Sequence, residues 1–94
     1  MKQKLVQERP NTGVPFFTHS ADGVALLKQY TDAGRITKTE SISENQLVKT
    51  IELDYASEDD FVAFKLEEVR ENERIAREAH CAENSISFSL TNEE

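Results

Sequence analysis

Ser85-Ile86-Ser87-Phe88-Ser89-Leu90-Thr91 alternates large apolar residues with small hydroxyl residues along its whole length. Successive side chains of a strand point to opposite faces, so the stretch predicts a strand with Ile86, Phe88 and Leu90 in a core and Ser85, Ser87 and Ser89 on an open side. Such a strand belongs to a sheet covered by helices on one face only.

Before this strand, Phe61, Val62, Phe64, Leu66, Val69, Ile75, Ala76 and Ala79 span an apolar arc at helical spacing, while Glu67, Arg70, Arg74 and Glu78 occupy the opposite arc. A long helix with its apolar arc buried is expected. Ser57-Glu58-Asp59-Asp60 opens it as a capping box with Asp in the usual Glu or Gln position, and its acids suit the positive end of a helix dipole. Apolar density thins after Val69, so residues 70–82 are expected to be exposed on more sides, to meet a partner, or to break into a second short helix.

Two extended segments at 35–42 and 46–55, joined by the polar Ser43-Glu44-Asn45, read as a hairpin. In the second, Leu47, Ile51, Leu53 and Tyr55 share one face, and Val48, Thr50, Glu52 and Asp54 the other. The first has Thr37, Thr39 and Ser41 on one side. Its other side mixes Ile36, Lys38, Glu40 and Ile42, which suits an edge strand where charges block further pairing. An earlier helix is expected over 21–33, with Ser20 as N-cap, Val24, Leu27 and Tyr30 at helical spacing, and Gly34 closing it. The aromatic run Val14-Pro15-Phe16-Phe17-Thr18-His19 reads as the first strand, with Pro15 near its beginning. Residues 1–13 then form an N-terminal arm ahead of a single domain at 14–94.

The order strand, helix, strand, strand, helix, strand predicts a four-stranded antiparallel sheet with both helices on one face, the ferredoxin-like βαββαβ plait of the α+β class. Its first and third strands are expected in the centre. The second and fourth are expected at the edges.

A chain of 94 residues makes one domain, and a 37% apolar fraction supports a modest core. The net charge of −7 is unevenly spread: residues 1–56 carry seven acids and seven bases, and residues 57–94 carry eleven acids and four bases. Nucleic acid is a poor partner for that acidic half, because phosphate binding needs clustered Lys and Arg. The single cysteine, Cys81, forms no intramolecular disulfide, and no apolar run long enough for a signal peptide or membrane span occurs. A cytoplasmic protein without membrane contact is expected.

His80-Cys81 pairs two metal-ligating residue types, but adjacent helical residues point about 100° apart and no spaced partner completes a site. No metal and no cofactor is expected, and Gly13, Gly23 and Gly34 stand apart rather than forming a phosphate loop. His19, beside the start of the first helix, is the one candidate acid or base. Thr50, Ser85, Ser87 and Ser89 on the open face, with Arg70 and Arg74 on the charged helix face, are the candidate interaction residues.

The element order, with Phe16-Phe17 on the first strand and Ser57-Glu58-Asp59-Asp60-Phe61 opening the long helix, resembles the dimeric α+β barrel superfamily. That resemblance implies two ferredoxin-like subunits joined through their open sheet faces, with a monooxygenase-like activity in some members. Here Thr50, Ser85, Ser87 and Ser89 would line such a barrel with hydroxyls. The lead-in Arg9-Pro10-Asn11-Thr12 also resembles that of small tailed-bacteriophage proteins.

The leading functional expectation is a non-enzymatic interaction module that self-associates through its open sheet face or edge strands, as a homodimer or larger assembly. The alternatives are a small dimeric-barrel enzyme using His19, and an acidic inhibitor offering its C-terminal helix to a basic protein.

Overall fold

The computed structural model of the chain describes residues 1–93, so Glu94, the last residue of the expected domain, lies outside the described residues. Seven elements follow one another: β1 (Lys2–Glu8), α1 (Ala21–Asp32), β2 (Ile36–Ile42), β3 (Val48–Tyr55), α2 (Glu58–Lys65), α3 (Glu68–Glu83) and β4 (Ser87–Glu93). The strands form one sheet in the order β2-β3-β1-β4, with every neighbouring pair antiparallel. This is the ferredoxin-like plait, with β1 and β3 central and β2 and β4 at the edges. Among the described residues, no helix is long and apolar enough to cross a membrane.

The first strand is not where the sequence pattern placed it. Residues 2–8, expected as part of an arm, form β1 and pair on both sides, Leu5 lying opposite Ile51 of β3 and Leu90 of β4. Gln3, Leu5 and Gln7 face the helices and are buried. Two of those three are amides, so the alternation carried no hydrophobic signal, although an amide with a hydrogen-bond partner is a workable core residue. Gln3 has such a partner, accepting a 3.0 Å bond from the Tyr55 hydroxyl.

Residues 14–19, expected as a strand, are irregular and run between β1 and α1. Their aromatic rings are used as a cover. The Arg9 guanidinium lies 4.4 Å from the centre of the Phe16 ring, and its Nη1 donates to the Val14 carbonyl at 2.9 Å. Phe17 sits edge-on between the rings of His19 and His80, at 5.1 and 5.9 Å. The His80 Nε2 lies 2.8 Å from the Pro15 carbonyl oxygen.

Local capping follows the sequence closely. Ser20 accepts from the Gly23 amide at 3.2 Å at the start of α1, and Ser57 accepts from the Asp60 amide at 3.1 Å at the start of α2. Beyond α1, Gly34 takes a φ of +73°, which glycine adopts without a Cβ penalty, and the Arg35 amide closes the turn on the Tyr30 carbonyl at 2.9 Å. Asp60 then receives Arg35 Nε at 2.6 Å, tying α2 to the α1–β2 connection.

The expected long helix is two helices, because Leu66 ends α2 and Glu67 takes an extended ψ of 127° before α3 begins. Glu67 is fixed at this break by the Tyr30 hydroxyl, 3.2 Å away. The aromatic half of the core lies beside it. Tyr30 and Phe64 meet edge-on at 5.0 Å, Tyr55 and Phe61 at 5.1 Å, and Ile36 completes the cluster.

Two further expectations are overturned by the packing of α3. Its apolar arc faces outward, with Ile75 53% exposed, while Arg70, Glu73, Arg74, Arg77 and Cys81 face the sheet or its flank. The core expected beneath β4 is also shorter: Ile86 is buried, but Phe88 and Leu90 remain 39% and 41% exposed. β4 is an edge strand, and α3 covers only part of it.

Candidate functional site

Because α3 turns charge toward the sheet, the space between α1, α3 and the strands is a cleft with an apolar floor and a cationic wall. A cavity of about 180 Å³ lies over Leu5, Ile51 and Leu53, roofed by Leu27 of α1 and walled by Arg70 and Arg77 of α3. A second cavity of about 220 Å³ adjoins it toward Phe17, and the two share Leu5, His19, Val24, Lys38, Ile51 and Arg77. The floor follows from the strand registers, which set Leu53 opposite Gln3 and Ile51 opposite Leu5 on the helix-facing side.

The charged residues of the wall are unequally partnered. Arg74 is held by two carboxylates, its Nε 3.0 Å from Glu71 and its Nη1 3.0 Å from Glu78. Arg70 has only a loose contact with Glu71 at 3.7 Å, and its side chain is mostly buried. Among the described residues Arg77 makes no ion pair, and its Nε is buried without a hydrogen-bond partner. Burial and then the repulsion of Arg70 push the Arg77 guanidinium below its ordinary value. A buried unpaired donor costs about 1–3 kcal/mol, and more when charged.

Glu40 of the second cavity pairs with Lys49 at 3.0 Å. Glu73 is the anion of the first cavity, and it too is already occupied. The Ser20 amide donates to its Oε1 at 3.0 Å, the Ser20 hydroxyl donates to the same oxygen, and His19 Nδ1 lies 3.5 Å from Oε2. Burial alone would raise this carboxyl; the Ser20 bonds and His19 outweigh it and hold the group below the ordinary carboxylate range. His19 is thus a cleft residue whose imidazole is oriented by a carboxylate. The Ser20 hydroxyl points to Glu73 rather than to the imidazole, so these three groups make a helix cap and not a nucleophile–base pair.

The candidate interaction residues divide among three places. Thr50 and Ser89 lie opposite Val6 from either side on the open face, and Ser87 lies opposite Glu8. Ser85 is outside the strand, in the turn after α3, with a φ of +56°. Arg70 and Arg74, expected on a solvated helix face, belong to the cleft wall on the opposite side of the sheet.

Sequence reasoning missed Glu73, Arg77 and Lys38 as cleft residues. The available signal was the spacing of Arg70, Glu73, Arg74 and Arg77, which puts all four on one helical face. A charged stripe opposite an apolar one is ordinarily assigned to solvent. Cys81 is buried with its Sγ 3.9 Å from Gln7 Oε1, and burial pushes its thiol up, making it a packing residue. Among the described residues, no group of three or more His, Cys, Asp or Glu side chains is placed to hold a metal.

The free edge of β4 adjoins the cleft, since Leu90 lines it and the Arg77 guanidinium lies 6.0 Å from the centre of the Phe88 ring. The two edges of the sheet differ. β2 carries Lys38 and Glu40 in its middle, whereas β4 has no proline and no charge until Glu93 at its end. No protein-family model and no curated protein matches the chain.

Proposed function

We propose that the protein is a non-enzymatic module that self-associates by pairing β4 with β4 of a second copy. The observation that carries this reading is the pair of half-exposed apolar side chains, Phe88 and Leu90, in a free edge strand whose first six residues carry no charge. An edge strand without Lys, Pro or a bulge is a template for another strand, and natural proteins ordinarily blunt such edges. Antiparallel pairing centred on Ser89 sets Phe88 against the partner's Leu90 and Leu90 against the partner's Phe88, all on the helix side. Ser87 then meets the partner's Thr91. The arrangement is isologous, as a two-fold dimer requires, and joins two sheets into one of eight strands.

The interface is small by the standard of stable complexes, so the dimer is a weak one, with a dissociation constant on the order of 100 μM. Light scattering during size-exclusion chromatography over a concentration series tests it. Replacing both Phe88 and Leu90 by Thr keeps strand propensity while removing the apolar contacts, and is expected to weaken the dimer by about tenfold or more. A wild-type chain that stays monomeric into the millimolar range, or a double variant that dimerises unchanged, overturns the reading.

A further inference from the structure

The cleft presents a combination that neither packing nor self-association accounts for: an apolar cavity ending at cations with too few partners. Leu5, Leu27, Ile51 and Leu53 supply surfaces that gain from an apolar occupant. Arg77 has a buried Nε with no acceptor, Arg70 has one loose carboxylate contact, and Lys38 on β2 makes no ion pair among the described residues. The one carboxylate lining this cavity, Glu73, is taken up by Ser20 and His19. The cavity therefore carries an excess of positive charge inside a chain whose net charge is −7.

We propose that this cleft is a binding site for a small monocarboxylate with an aromatic or branched apolar body. The carboxylate is received by the guanidinium groups of Arg77 and Arg70, whose planar forks match its two oxygens, and the body rests on Leu5 and Ile51. Volume sets the size class. An apolar cavity of roughly 150 Å³ accepts a benzene ring, so about 180 Å³ holds one ring or a branched chain of similar bulk. A compact inorganic anion satisfies the cations but leaves the apolar surface uncovered, and a neutral ring does the reverse. Burial first and the charge of Arg70 second lower the Arg77 guanidinium, and an anion between the two arginines relieves the second effect. The arginines that receive the carboxylate lie on α3 and the apolar floor on β1 and β3, while Leu90 of β4, which the proposed dimer also uses, lines only one side of the cavity.

Phenylacetate is the probe, titrated into the full chain by calorimetry and followed in parallel at the arginine Nε–H resonances by NMR. Saturable binding is expected with a dissociation constant on the order of 1 mM or tighter, as suits a ligand of about ten non-hydrogen atoms. The Arg77 resonance is expected to shift. Benzyl alcohol, which keeps the ring without the charge, and inorganic phosphate, which keeps charge without the ring, should each bind at least about tenfold more weakly. Arg77→Gln should weaken phenylacetate by about tenfold or more, and Ile51→Phe, which fills the cavity without touching a cation, should do the same.

No saturable phenylacetate binding up to about 10 mM overturns the proposal. Equal binding of benzyl alcohol or of phosphate overturns it too, as does unchanged affinity in either folded variant. Circular dichroism reports whether each variant folds, and the comparison of the three probes on the wild-type chain decides the matter alone if neither does.

Discussion

Glu73, midway along α3, caps the first turn of α1 through Ser20: the Ser20 amide and hydroxyl both donate to its Oε1, while the same hydroxyl accepts from the Gly23 amide at 3.2 Å. A carboxylate from one helix thus finishes the amino end of another, where the helix dipole favours negative charge. Gly23 makes the approach possible, because a Cβ there would collide with the Glu73 carboxylate. Gly23→Ala is therefore expected to destabilise the fold by about 1–2 kcal/mol, by displacing the carboxylate from Ser20. In a Glu73→Ala background the sign reverses, since the collision is gone and alanine is favoured over glycine in a helix by roughly 0.8–1 kcal/mol. A four-way denaturation cycle measures this coupling. Simple additivity would remove the capping role from Glu73.

The same cap sets part of the response to acid, and a buried phenol sets part of the response to alkali. Glu73 is held below the ordinary carboxylate range, so its contribution is complete above the unfolded value near 4.5 and is lost as pH falls through the folded value. Asp60, held low by Arg35, titrates in the same direction. At the other limb, burial pushes the Tyr55 hydroxyl up to about 12, against a smaller pull from Arg70, so its contribution is complete below about 10 and is lost as pH rises toward 12. Tyr55→Phe strands Gln3 Oε1 and is expected to cost about 1 kcal/mol at neutral pH. Above pH 10 the variant should lose stability less steeply than the wild type, as read from melting temperature against pH. Parallel alkaline limbs would show that Tyr55 is not the group responsible.

What was legible in the chain was local. Ser20, Ser57 and Gly34 advertised their caps, and the β3 faces followed from strict alternation, because these features depend on a few neighbouring residues. β1 was hidden for the opposite reason. Gln3 and Gln7 are acceptable in the core only because Tyr55, Cys81 and the cleft meet them there, a fact settled by residues fifty and more positions away. Phe16 and Phe17 drew the strand assignment to themselves, since aromatic density reads as burial in a sheet when it can equally cover a crossing loop. The inversion of α3 is the same problem on a helix: periodicity shows that two faces differ, not which of them meets the sheet. Hence the charged cleft, which depends on that choice, was invisible while the plait itself was not.

Ser85 gives the sharpest separation between an interaction role and a turn role. It follows the C-cap Asn84 with a φ of +56°, in the left-handed region, and the Ile86 amide beyond it donates to the Cys81 carbonyl at 2.9 Å. A side chain in this region costs on the order of 1 kcal/mol, which glycine avoids. Glycine also gives up more freedom on folding, so the net gain from Ser85→Gly is smaller, about 0.5 kcal/mol, and appears as a modestly raised melting temperature. Ser89→Gly offers the contrast. Ser89 stands within β4 opposite Val6, where glycine forfeits strand packing, and the substitution should lower stability by roughly 0.5–1 kcal/mol. Ser85 lies beyond the paired stretch of the β4 dimer, so Ser85→Gly should also leave the dimer dissociation constant unchanged. A melting temperature that falls in Ser85→Gly would mean that the hydroxyl makes a contact outweighing the strain, and a weakened dimer would return Ser85 to the set of interaction residues.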